Sequence, residues 1–175
     1  MTIARLIRSV PAVVAVTAAL TALAGTPTHH LPAGDRLQFT HHTAPLATPS
    51  CPQVRTPERI SGTGPGGTVD GPDAILAFHH AYYALRSASA ARAVVTIDAQ
   101  VPSAADIQAG IDSLPADTRY CVHVAPAPYT TAGQQRWCAE LAQQYPGAPE
   151  TILRQAVTTR TDGDGRALIT AITTP

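Results

Sequence analysis

The period of the hydrophobic pattern changes once along this chain, near Thr118, and this change limits the possible folds more than any other feature. Between residues 71 and 114 the apolar residues recur every three or four positions, which is typical of amphipathic helices. After residue 118 they alternate with polar residues, as in a half-buried strand. The sequence therefore predicts an α+β domain in which the helices come first and an antiparallel sheet follows.

Three helical segments are predicted before the change of period. The first begins at Gly71, where Asp70 and Pro72 suit a helix N-terminus, and extends to about Ala88. Its apolar stripe predicts one buried face. A second, short segment is predicted over residues 90–97, and a third after the N-cap Ser103, ended by Pro115. The stripe of the first helix consists of Ile75, Phe78, Tyr82 and Leu85, with His79 beside it.

Four antiparallel strands are predicted after the change of period. Two of them are centred on residues 120–124 and 137–141. Two more are predicted over 151–161 and 166–172, and a tight turn at Asp162-Gly163-Asp164-Gly165 joins this second pair. For the first pair, a register that sets residue 121 opposite residue 138 places Val122 beside Trp137 on one face. The expected sheet therefore has four strands.

The part of the chain before residue 71 is expected to be an export signal and a linker. Residues 1–24 carry Arg5 and Arg8, then an uncharged apolar segment that ends in Ala22-Leu23-Ala24, as in a signal peptide cleaved before Gly25. A retained membrane anchor is the alternative. Residues 25–70 are rich in Pro, Thr and Gly, which predicts a flexible linker before the domain at 71–175. Both alternatives place the domain outside the cytoplasm, secreted or anchored.

The charge balance argues against a nucleic-acid partner. The chain has 12 Lys and Arg against 12 Asp and Glu, and only 14% of its residues are charged. A protein that binds nucleic acid through phosphate contacts needs a basic surface, which this composition does not favour.

Histidine is the residue type in this sequence that offers the most candidates for acid/base chemistry or metal binding. His79 falls within the apolar stripe of the first helix. One hypothesis is an acid/base role for His79, assisted by Tyr82 or Asp98. The other, which the pattern favours, is that His79 is a hydrogen-bonded histidine of the core. The pairs His29-His30 and His41-His42 lie in the linker, where weak metal binding is a further alternative. No metal site and no cofactor are predicted, because no group of ligands has a suitable spacing.

Two other sets of residues leave alternatives open. Three cysteines in an exported chain predict one disulfide, either between Cys51 and Cys121 or between Cys121 and Cys138 across the predicted hairpin. The aromatic residues of the inner faces form an apolar pocket or simply the core. These pocket-lining candidates are Phe78, Tyr82, Tyr120 and Trp137.

The segments GPDAILAFHHAYYALRSASAARAVV, VPSAADIQAGIDSLP, TRYCVHV and TTRTDGDGRALITAI resemble an uncharacterised actinobacterial domain of unknown function found on exported proteins. The arrangement of helices and sheet is also similar to the NTF2-like (SnoaL-like) superfamily of cone-shaped domains. The resemblance implies a pocket beneath a curved sheet, and it implies the Cys51–Cys121 pairing, because the family places one cysteine ahead of the domain and another in TRYCVHV.

The sequence favours a non-catalytic accessory or binding module of the cell envelope, whose partner would be an envelope protein or a small apolar ligand. The alternatives are a small isomerase- or dehydratase-type enzyme that uses His79, and weak metal binding by the linker histidines.

Overall fold

Asp70 begins the first helix as the sequence predicts, because its side chain accepts a hydrogen bond from the backbone N–H of Asp73. In the computed structural model, which describes residues 46–128 and 133–174, the helices are α1 (Gly71–Tyr83), α2 (Ala88–Arg92) and α3 (Ala104–Ser113). The strands are β1 (Val54–Arg55), β2 (Ile60–Gly62), β3 (Val95–Gln100), β4 (Arg119–Pro126), β5 (Gln135–Gln144), β6 (Thr151–Thr161) and β7 (Ala167–Thr173).

The described strands form one mixed sheet of seven strands, so the prediction of a four-stranded sheet is wrong in number. The strand order is β1-β2-β4-β5-β6-β7-β3, and among these described strands the β3–β7 pair is parallel while the others are antiparallel. The four predicted strands are β4 to β7, which are adjacent and antiparallel. Residues of α1 and α3 and of the inner sheet face, including Ile75, Ile111 and Val122, build the core.

The first helix ends at Tyr83, five residues before the predicted end. Arg86 has a positive φ of 50° and donates hydrogen bonds to the backbone oxygens of Ile111 and Leu114. Ser87 then caps the N-terminus of α2, so a second helix begins where the first was expected to continue. Leu85 consequently lies outside the buried stripe, with 58% of its surface exposed.

The predicted second helix over 90–97 is partly wrong, because its second half belongs to strand β3. Val95, Thr96 and Ile97 are β-branched and favour an extended backbone, and β3 pairs in parallel with β7 and forms one edge of the sheet. The helix itself is the five-residue α2.

The register of the β4–β5 hairpin also differs from the prediction. Cys121 lies opposite Ala142, and Cys138 lies opposite Ala125, so the two strands are displaced by four residues relative to the expected pairing. A displacement by an even number keeps every side chain on its expected face. Val122 therefore still lies on the inner face, now opposite Leu141.

Part of the predicted linker is folded onto the sheet. Within residues 46–70, strands β1 and β2 extend the sheet beside β4, and Ala47 forms an isolated bridge to Tyr120. Cys51 is bonded to Cys121, whose side chain lies on the face of β4 opposite to Tyr120. Tertiary contacts, rather than local periodicity, order this segment, so the linker prediction does not hold for residues 46–70.

The predicted signal segment, the linker before residue 46 and the pairs His29-His30 and His41-His42 lie outside the described residues. Among the residues that are described, no helix is long and apolar enough to cross a membrane.

Candidate functional site

A cavity of about 410 Å³ lies between helices α1 and α3 and the inner face of the sheet. Its size falls within the range of small-molecule sites, which is roughly 300–1,000 Å³. Most of its walls are apolar or aromatic, with a small number of polar side chains among them. The apolar and aromatic walls include Phe78, Tyr82, Ile107, Leu141, Leu153 and Ile172.

His79 lines this cavity from α1 and is almost completely buried, with 3% of its surface exposed. Its Nε2 atom makes no hydrogen bond within the described residues. Burial lowers the pKa of His79 to about 4, and a hydrogen-bonding interaction with the side chain of Gln155 opposes that change. The imidazole is therefore neutral near pH 7.

Gln155 lines the same cavity from strand β6. It lies opposite Ala139 and on the same face as Leu153, as the two-residue period of a strand requires. Its Oε1 atom is buried and has no partner of hydrogen-bonding geometry among the described residues, although the amide lies close enough to His79 to affect its pKa. Two buried polar atoms on facing elements are thus unsatisfied at one cavity.

Tyr83 and Gln143 form the base of the cavity and are fully engaged with each other and with the core. The hydroxyl of Tyr83 donates a hydrogen bond of 2.7 Å to Oε1 of Gln143, and its ring stacks on Tyr120 at a centroid distance of 4.8 Å. Burial raises the pKa of both tyrosines, so both hydroxyls stay protonated. The hydrogen bond between these groups and the stacking of the rings hold them in place, so they fix the shape of the cavity.

Tyr82 borders the cavity beside α3. A Cβ atom at Gly110 would lie 2.5 Å from the Tyr82 hydroxyl oxygen, so the absence of a side chain at Gly110 makes room for the phenol. Burial raises the pKa of Tyr82, which keeps this hydroxyl neutral as well.

The structure brings together only some of the residues that the sequence proposed for a site. Phe78, His79 and Tyr82 line the cavity. Tyr120 and Trp137 are not among its lining residues, because each is used elsewhere: the Tyr120 hydroxyl donates to the backbone oxygen of Thr63, and Trp137 Nε1 donates to Thr159 Oγ1. Two of the four pocket-lining candidates are therefore core residues.

Asp98 is not near enough to the cavity to line it. It lies on β3, with 59% of its side chain exposed, and pairs with Arg160 at 2.9 Å. The carboxylate at the cavity is that of Asp106, an exposed residue of the first turn of α3 that accepts a hydrogen bond from Ser103 Oγ. The structure consequently does not assemble the His79–Asp98 pair that the acid/base hypothesis requires.

Gln155 and Asp106 are the cavity residues that sequence reasoning missed. The alternating pattern of β6 contained a usable signal for Gln155, since it shares the inner face with Leu153 and Val157. For Asp106 the helix-capping role was visible, but its position at a cavity depends on how α3 packs against α1, which no local pattern encodes.

A second cavity of about 640 Å³ lies at the N-terminal end of α1, and its walls are more polar. Its charged groups already have partners, because Asp70 binds Arg55 and caps α1, and Arg160 binds Asp98. Within the described residues, no cluster of three potential metal ligands occurs at either cavity. The smaller cavity, with its unsatisfied buried atoms, is therefore the better candidate site.

Comparisons with known proteins were made for the sequence and for the fold, and they match different proteins. Residues 48–173 match the profile of a family described as "Domain of unknown function (DUF8176)". No curated protein matches the sequence. The fold is similar to a computationally designed 17-OHP binder, with a TM-score of 0.42 and 15% identity over 58% of this chain and 87% of that one. It is also similar to a Δ5-3-ketosteroid isomerase from Mycobacterium sp., with a TM-score of 0.39 and 18% identity over 57% of this chain and 89% of that one.

Proposed function

Because the chain belongs to the DUF8176 family, a domain of unknown function, we propose a function from its own residues: it is a binding module that holds a small, mostly apolar ligand. The observation that carries this proposal is the cavity of about 410 Å³ between α1, α3 and the sheet, with apolar walls and two unsatisfied buried polar atoms. The domain in this proposal has the cone-shaped, NTF2-like arrangement, in which helices on one face of a sheet enclose a pocket.

The walls of the cavity supply the affinity in this proposal. Each Å² of apolar surface removed from water contributes roughly 25 cal/mol, so a ligand that covers Phe78, Leu153 and Ile172 gains most of its binding free energy from them. Tyr83 and Gln143 hold their positions through their mutual hydrogen bond, so the base of the cavity is preorganised.

Binding is favoured over acid/base catalysis for two reasons. A general base works best when its pKa lies near the working pH, whereas burial lowers the pKa of His79 to about 4. A catalytic histidine also needs an orienting or partner acid. Asp98 is held by Arg160 away from the cavity, and Asp106, the carboxylate at the cavity, is exposed and accepts a hydrogen bond from Ser103. The residues at the cavity are thus better suited to hold a ligand than to move its protons.

The location we propose for this module is outside the cytoplasm. The support is the signal-like sequence of residues 1–24 together with the Cys51–Cys121 disulfide, a bond that persists in oxidising compartments. When the full chain is expressed in a host that exports it, we expect intact-mass spectrometry to find a mature protein that begins at Gly25. A protein that keeps Met1 and fractionates with the membrane would contradict cleavage.

The cavity is tested by filling it. Leu153 lines the cavity and is 45% exposed, so tryptophan at this position can extend into the space without displacing the core. Ile152, its neighbour on β6, is 56% exposed and lies on the opposite face of the strand, which makes Ile152→Trp a matched control. We expect the unmodified protein to bind naphthalene, as a purely apolar probe, with one site per chain in equilibrium dialysis.

In the same assay we expect Leu153→Trp to weaken naphthalene binding at least tenfold and Ile152→Trp to leave it unchanged, with both variants folded by circular dichroism. If the two variants bind naphthalene equally, or if the unmodified protein shows no saturable binding up to the solubility limit of naphthalene, the cavity is not a binding site.

A further inference from the structure

The two unsatisfied polar atoms at the cavity restrict the chemistry of its ligand. Nε2 of His79 and Oε1 of Gln155 are both buried and both belong to cavity-lining residues. The two side chains lie close enough to interact, but neither atom has a partner of full hydrogen-bonding geometry within the described residues. Buried polar atoms in native proteins are nearly always paired, so such an atom at a cavity indicates a missing partner. This inference rests on the proposed binding function, because the missing partner belongs to the cavity's occupant.

The donor and acceptor capacities of the two side chains define that partner. The amide oxygen of Gln155 can only accept a hydrogen bond, and a neutral imidazole offers one N–H donor and one acceptor nitrogen. With the imidazole proton on Nε2, a hydroxyl group is the smallest group that accepts from His79 Nε2–H and donates to Gln155 Oε1 at the same time. A carbonyl oxygen would leave the acceptor of Gln155 unpaired, and a hydrocarbon would leave both atoms unpaired.

The charges around the cavity exclude an anionic group at this position. None of the residues that line the cavity is Lys or Arg, and the one carboxylate among them is Asp106, which is exposed. Arg86 is close enough to Tyr82 to affect its pKa, but its guanidinium donates to backbone oxygens at the end of α3. A buried anion would therefore lose its hydration without gaining a partner of opposite charge.

We propose that the ligand is a neutral alcohol or phenol whose hydroxyl group bridges His79 Nε2 and Gln155 Oε1, while its apolar body lies against Phe78 and Leu153. Tyr82, on the α3 side, limits the width of that body. The cavity thereby distinguishes hydroxylated apolar molecules from plain hydrocarbons and from carboxylates of the same shape.

Three probes with one ring system test this proposal. Naphthalene, 2-naphthol and 2-naphthoate differ only in their substituent, and at pH 7.5 only the naphthoate is charged. With the full chain in equilibrium dialysis, we expect 2-naphthol to bind about tenfold more tightly than naphthalene, because it supplies the two missing hydrogen bonds. We expect 2-naphthoate to bind more weakly than naphthalene.

A matched pair of glutamine variants assigns the preference to the proposed atoms. Gln155→Met keeps the length of the side chain and removes its acceptor, so we expect 2-naphthol to lose its advantage over naphthalene while naphthalene still binds. Gln100→Met, at an exposed glutamine of β3 outside the cavity, should leave all three affinities unchanged.

The outcomes separate this inference from the function on which it rests. One outcome would keep the binding site but overturn the hydroxyl bridge: naphthalene binds, Leu153→Trp blocks its binding, and 2-naphthol binds no more tightly than naphthalene. A resident water that already pairs both atoms would give this result. A preference for 2-naphthol that survives Gln155→Met, or tightest binding by 2-naphthoate, would also overturn the bridge. If no probe binds in a manner sensitive to Leu153→Trp, the binding function itself fails.

Discussion

Cys51→Ala is expected to lower the free energy of unfolding by about 4 kcal/mol, because the disulfide closes a loop of 70 residues and removes that much conformational freedom from the unfolded chain. Such a loss shifts the unfolding equilibrium by about a thousandfold. The measurement is urea-induced unfolding of the full chain under non-reducing conditions, followed by far-ultraviolet circular dichroism. The remaining thiol of Cys121 is tolerated in the core as a small apolar side chain.

Cys138→Ala is the matched control for this experiment. Cys138 is exposed and has no disulfide partner among the described residues, so its removal should change the unfolding free energy by less than about 0.5 kcal/mol. Equal stability of Cys51→Ala and Cys138→Ala would show that the segment from Leu46 to Cys51 stays on the sheet without the bond. Its remaining hydrogen bonds include those of residues 46–48 with the backbone of Tyr120 and that of the Ser50 hydroxyl with the carboxylate of Glu150.

That segment also shows where prediction from sequence fails for this fold. Strands β1 and β2 hold two and three residues, too few to display a periodic pattern, and they exist because β4 offers an open edge. Proline and glycine in residues 46–70 argue locally for irregular backbone. The order of this part comes from the sheet and the disulfide, which lie far away along the chain.

The hairpin of β4 and β5 shows a subtler failure. The predicted and observed registers differ by four residues, and both keep Tyr120 and Val122 on the inner face, so the alternating pattern cannot distinguish them. The predicted register would also set Arg119 opposite Glu140, whereas Glu140 instead pairs with Arg154 of β6. Periodicity therefore predicts which face a residue occupies, and packing of the third strand decides its position along that face.

The candidate site was predictable in the same limited sense. The helical stripe of α1 correctly places Phe78, His79 and Tyr82 towards the interior, because that assignment needs only the 3.6-residue period. The polar residue that lies beside His79 at the cavity was not predictable, since Asp98 and Gln155 lie on different strands at opposite sides of β7 in the strand order. Only the sheet topology shows that Gln155 faces the cavity and Asp98 pairs with Arg160.

The pH dependence of stability tests the environment of His79 directly. Because burial lowers the pKa of His79 from 6.5 to about 4, the unfolded chain binds a proton between these pH values that the folded protein does not. The stabilising contribution of the neutral imidazole is complete above pH 6.5, falls as the pH is lowered through this window and is lost near pH 4. Proton linkage converts the difference in pKa into about 3 kcal/mol of unfolding free energy.

His79→Gln removes this titration and keeps a polar side chain, so we expect the unfolding free energy of the unmodified protein to fall by about 3 kcal/mol more than that of His79→Gln between pH 7 and pH 4. Other groups with lowered pKa values, such as His123, Asp98 and Asp162, titrate in both proteins and cancel in this difference. The measurement is a series of urea unfolding curves across the pH range. If the two stabilities fall in parallel, His79 must take up a proton in the folded protein as readily as in the unfolded chain. Its imidazole would then be open to water, and the buried, neutral donor on which the hydroxyl bridge depends would not exist.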